Sequence, residues 1–166
     1  MSSTRTMGIE VTDVSTTQRL PLGFEYVEPA DMTNDYGSRV WIYVQMTGSA
    51  AAQGDILMRV NATAETKGIL STTALHSRLR ILGVAQHTIA ENSYGFILKR
   101  GIGAVKAGDG AGLTLNEPFT TNGGTTAGRA LDFSDGAEEA VIGFCIIATA
   151  ATVATASNAF INCGGG

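Results

Sequence analysis

The chain has 166 residues, a length that suits one domain with a sizeable core. Charged residues make up only 16% of it, against roughly 25% in ordinary soluble domains, while the hydrophobic share of 44% excludes wholesale disorder. The net charge is −4, and the 11 lysines and arginines are scattered rather than gathered into a stripe, so nucleic acid is not an expected partner. A weakly charged surface rich in Gly, Thr and Ala suits a protein that works in contact with neighbours.

Taken in chain order, residues 1–23 are polar and weakly patterned. Ile9, Val11 and Val14 hint at alternation, so the segment reads as an extended arm, with a frayed terminus as the equal alternative. The first residues lack the apolar core of a signal peptide, so export by such a signal is not expected. Residues 24–166 read as a single β domain. Tyr36-Gly37 marks a turn before residues 39–46, which are dense in β-branched and aromatic types and form the strongest strand signal. Within that strand Trp41 and Tyr43 share one face, and Ile42 and Val44 the other. One face is expected to be core; the other is either an exposed interface or sealed by a loop.

Residues 48–54 form a small-residue loop, and a strand resumes over 55–60. Residues 61–80 allow a short helix or a strand with a polar connector; a loop running into a strand over 79–85 is favoured. After a turn-rich link at 89–95, residues 96–105 read as a long strand, whose interior glycines predict a bulge or a bend at a barrel corner. A turn at 106–112, a short strand at 113–116 and a mobile loop at 120–128 follow. Residues 129–133 alternate, 140–150 read as a buried strand, and 158–162 as a last one. The three prolines, Pro21, Pro29 and Pro118, are expected between strands. Short strands, Gly-rich turns and no long amphipathic helix predict an all-β fold, a small β-barrel or β-sandwich with an extended N-terminal arm. No apolar stretch is long enough for a membrane span; the closest, residues 140–151, is too short and holds Gly143.

No motif in the chain carries chemistry. His76 and His87 are the only histidines, and neither has a partner at zinc-ligand spacing, so no metal is expected. There is no G-x-S-x-G elbow. Residues 101–106 begin like a dinucleotide fingerprint, but Lys106 replaces its third glycine. Residues 108–112 lack the Lys-Ser/Thr of a phosphate loop and the carboxylates of a calcium loop, and read as a hairpin turn. Glu138 and Glu139, if on a strand, point to opposite faces and cannot act as one acid–base couple. Cys145, in an apolar run, is expected to be a buried free thiol. The expectation is a protein that is not an enzyme and takes no cofactor. Its candidate interface residues are Ile9, Val11, Val14, Trp41 and Tyr43.

Four segments, in this order, resemble the small capsid decoration (cement) proteins of tailed bacteriophages. They are the Ala51-Ala52-Gln53-Gly54-Asp55-Ile56-Leu57 turn, residues 81–85 with 89–101, the hairpin at 104–109, and residues 126–130 leading to 140–144. The likeness spans roughly residues 40–148, and the chain departs from it in a long loop at 114–128 and an Ala/Thr-rich tail. The resemblance implies a β-barrel or β-sandwich protein, made in the host cytoplasm, that clamps the outer surface of the virion capsid. It implies the major capsid protein as partner and self-association, commonly as a trimer, with neither nucleic acid nor membrane bound. The alternatives are another phage structural component (tail, fibre or head–tail protein) and, further off, a non-viral β binding module.

Overall fold

The computed structural model describes residues 5–6, 8–30, 37–61, 66–71, 80–108, 112–121, 126–133, 141–146 and 156–163. The elements among them are all strands: β1 (Arg5–Thr6), β2 (Ile9–Glu10), β3 (Glu25–Glu28), β4 (Arg39–Met46), β5 (Ile56–Arg59), β6 (Lys67–Leu70), β7 (Ile81–Val84), β8 (Tyr94–Lys106), β9 (Pro118–Thr121), β10 (Ala130–Asp132), β11 (Gly143–Cys145) and β12 (Ala156–Asn162). The all-β expectation holds, and of the two architectures the barrel is the one formed. Strands β4, β8, β7, β5 and β6 close on one another; the β6–β4 contact is parallel and the other pairings are antiparallel.

Side-chain period explains why β4 reads as an almost unbroken apolar run. Ile42, Val44 and Met46 point into the barrel with Leu57, Leu82 and Ile97, and Ala51, Ala85 and Ile89 join that cluster. Trp41 and Tyr43 point outward with Ile56, Met58, Phe96 and Leu98, yet they too are buried. The outer face is covered by the N-terminal segment and by a second layer of strands. Both faces of β4 therefore need apolar residues.

The second layer grows from β8, which runs past the barrel. Its first half pairs with β4 and its second half with β12; Arg100 stands opposite both Val40 and Asn162. Gly101 makes the change of direction possible at φ +121, and a Cβ there would lie 2.9 Å from Arg39 Cγ and 3.1 Å from the Ser38 carbonyl. The predicted bend in the long strand is thus present. From β12 the sheet continues through β11 and β9 to β10, and it curls until Ala130 of β10 meets Ala107, just beyond the end of β8. Phe119, Ile142, Cys145, Ala159 and Ile161 fill the curl.

The motif at residues 52–55 has a physical reason. The Ala52 N–H donates to the Asp55 carboxylate (2.8 Å) and the Asp55 N–H to the Ala52 carbonyl (3.1 Å), closing a tight turn. Gly54, at φ +87, then donates to the Ala85 carbonyl and accepts from the Lys106 N–H, which ties the turn to the strands beside it. Asp55 also meets the Lys106 ammonium at 3.3 Å.

Several elements differ from expectation. Of the arm, residues 8–23 lie on their own barrel. Ile9, Val11 and Leu20 are buried in its outer cluster, Ser15 and Tyr94 exchange two backbone hydrogen bonds, and the Gly23 N–H donates to the Tyr43 carbonyl. Strand β6 falls in the stretch expected to be a loop. The strand expected at 113–116 is instead β9, a few residues later. The Asp132 carboxylate takes up the Thr114 N–H and hydroxyl, and Asn116 sits at φ +66, so local bonds hold this segment in a turn. Pro118 opens β9 rather than lying between strands; the first position of a strand tolerates its missing N–H. Thr120 and Thr121, expected in a mobile loop, are buried in β9. Residues 109–111, His76 and Glu138-Glu139 lie outside the described residues.

Candidate interaction surface

Four of the five expected interface residues are in this chain's own core. Trp41 and Tyr43 are each 2% exposed, and Ile9 and Val11 are buried in the same cluster; only Val14, at 38%, faces solvent. The expected exposed aromatic patch is therefore corrected. The sealing alternative applies, because the chain covers that face itself.

Trp41 is fixed by polar bonds as well as by packing. Its indole N–H donates to Glu28 Oε2 (2.9 Å), and the Arg39 guanidinium forks onto the same carboxylate at 2.8 and 3.0 Å. Arg39 also lies 5.3 Å from the Trp41 ring centre. Tyr43 stacks on Tyr94, meets Phe96 edge-on, and accepts the Arg19 N–H at its hydroxyl.

His87 is held without a hydrogen bond at either ring nitrogen, and both nitrogens are buried. Burial lowers its pKa below the ordinary 6.5, and Asp13 opposes this in part. Protonation then favours the unfolded chain. The stability contribution is complete above about pH 6.5 and is lost as pH falls from there through the lowered folded value. Urea titrations from pH 8 to pH 5 should show this fall, and His87→Asn should flatten it; an unchanged slope in the variant would exclude His87 as its source.

The free apolar surface lies elsewhere, on the outward side of the second layer. Phe144 is 50% exposed, Phe160 37% and Ile146 38%. The register joins them: Phe144 stands opposite Pro118 on one side and Phe160 on the other, and Phe160 stands opposite Ile102. One apolar row thus crosses β9, β11, β12 and β8. Its flanks are mostly uncharged, with Asn158 and Asn162 on β12 and Ala104 on β8; Arg100 stands at one end. A recess of about 230 Å³ opens at Phe144 and Phe160, and a groove of about 310 Å³ at Ile102, Ala104, Gln53 and Gln86. The Gln86 amide is already spent on the Ala104 backbone, accepting from its N–H and donating to its carbonyl. Both cysteines are buried free thiols, as expected for Cys145. Among the described residues no three His, Cys, Asp or Glu side chains come together as metal ligands would.

The fold has a solved counterpart. It is similar to the N base of head fiber gp8.5 in bacteriophage phi29, with a TM-score of 0.51 at 12% sequence identity, over 74% of this chain and 93% of that one. No protein-family profile and no curated protein matches the sequence. At this identity the likeness is one of fold.

The sequence missed the apolar row for a definable reason. Phe144 sits within a run that reads as wholly buried, and its outward direction follows only from where β11 begins. Around Phe160 the signal is present: Ala159 and Ile161 are buried while Phe160 is exposed, the period-two pattern of a strand.

Proposed function

We propose that this chain is a structural protein of a bacteriophage virion that docks on the outside of the head and stabilises the shell as a decoration protein. The carrying observation is the likeness of its fold to the base of a phage head fiber. The outward apolar row, low in charge, supports a role in protein–protein contact, with the major capsid protein as partner. Copies repeated over a shell each add modest buried area, and bridging of neighbouring subunits resists expansion. Self-association as a trimer is part of the proposal.

A second reading, the base of a head fibre, is favoured by the same structural neighbour. Shells emptied of DNA separate the two. A decoration protein co-sediments with them and raises their melting temperature; a fibre base co-sediments and leaves it unchanged. Absence from the head fraction of dissociated virions, with recovery in the tail fraction, would overturn both.

A further inference from the structure

The barrel has a charged mouth. Met58 of β5 stands opposite Ile81 of β7, which places Arg59 and Arg80, their chain neighbours, at the same end of the barrel. Arg80 confirms the proximity by donating from Nη2 to the Val60 carbonyl (3.4 Å). On its other side Arg59 stands opposite Gly68 of β6. A Cβ at Gly68 would point into the barrel, 3.1 Å from Leu57 Cδ2 and 3.6 Å from both Leu82 Cδ1 and Met46 Sδ. By strand period Arg59 shares the side of Leu57. Two guanidinium groups thus stand at the barrel end, beside a position that carries no side chain.

The Nε of each arginine is buried with no hydrogen-bond partner, and among the described residues neither makes an ion pair. The ion pairs found there engage Asp13, Glu25, Glu28 and Asp55 with other cations. Like charges facing one another across strands destabilise a sheet, and an orphaned buried donor adds to the cost. An oxyanion set between two guanidinium forks would remove both penalties, because that planar donor pattern matches carboxylate and phosphate oxygens.

The geometry points to an oxyanion site at Arg59 and Arg80, taking a carboxylate or phosphate group. It goes beyond the proposed function and does not depend on it. The test titrates the full chain with inorganic phosphate and, separately, with a hexaglutamate peptide, at constant ionic strength set by sodium chloride. Arginine Nε–H resonances and the melting temperature are followed. A saturable shift of the Arg59 and Arg80 resonances is expected, with binding at least about tenfold weaker in Arg59→Gln and in Arg80→Gln. Without anion both variants should melt no lower than the parent, since each relieves the repulsion. Response to phosphate alone identifies a small anion, and response to the peptide alone an acidic partner segment. No response to either, or an equal response in the variants, overturns the site. If a variant fails to fold, the parent's arginine resonances decide alone.

Discussion

Glu28→Ala should lower stability by about 3 kcal/mol and the melting temperature by roughly 6–12 °C. Glu28 is 2% exposed although charged, and its carboxylate serves Arg39 twice and Trp41 once. Its removal leaves a guanidinium in a largely dry position and an indole N–H without an acceptor. The Arg39 side chain keeps 20% of its exposure, so water offsets part of the cost and the lower end of the range for a broken buried pair applies. The trio also fastens β3, a four-residue strand whose register pairs Glu28 with Arg39 and Tyr26 with Trp41. Replacing both charges, as in Glu28→Met with Arg39→Met, should recover most of the loss, leaving chiefly the orphaned indole. Urea denaturation followed by Trp41 fluorescence measures both. A single-variant effect within about 0.5 kcal/mol, the size of an ordinary surface change, would refute the assignment.

This trio shows where the sequence was legible and where it was not. Strands β4, β5, β7 and β8 are rich in β-branched and large apolar residues and are visible without a structure. The bend at Gly101 was foreseeable because a glycine in a long strand needs a reason. Strand β3 carries Glu25 and Glu28, and a buried Glu28 makes sense only once Arg39 is placed beside it. Strand β6 offers only Ile69 and Leu70 as large apolar residues; it exists because β4 and β5 hold it on either side. Pro118 argued against β9, although the first strand position admits it. For the surface, the four apolar types of Trp41-Ile42-Tyr43-Val44 already implied two covered faces. What the sequence could not show was that this chain supplies both covers, through Ile9, Val11 and Leu20 on the one hand and the second layer on the other.

Phe144→Asp combined with Phe160→Asp should abolish shell binding while leaving the fold intact. Both rings are substantially exposed, so their loss costs little in the core. Buried aromatic anchors typically contribute about 2 kcal/mol or more each, so losing two weakens association by about a thousandfold. The new carboxylates add a desolvation cost at the same spot. Val27→Asp is the control: Val27 is 60% exposed on β3, away from the row on β9, β11, β12 and β8, and its change should leave binding unaltered. Co-sedimentation with emptied shells, alongside circular dichroism of each variant, reads both quantities. If the double variant binds as the parent does, the apolar row is not the docking face. If Val27→Asp alone abolishes binding, the contact lies on β3, whose outer edge, at the end of the strand order, could receive a strand from a neighbouring subunit.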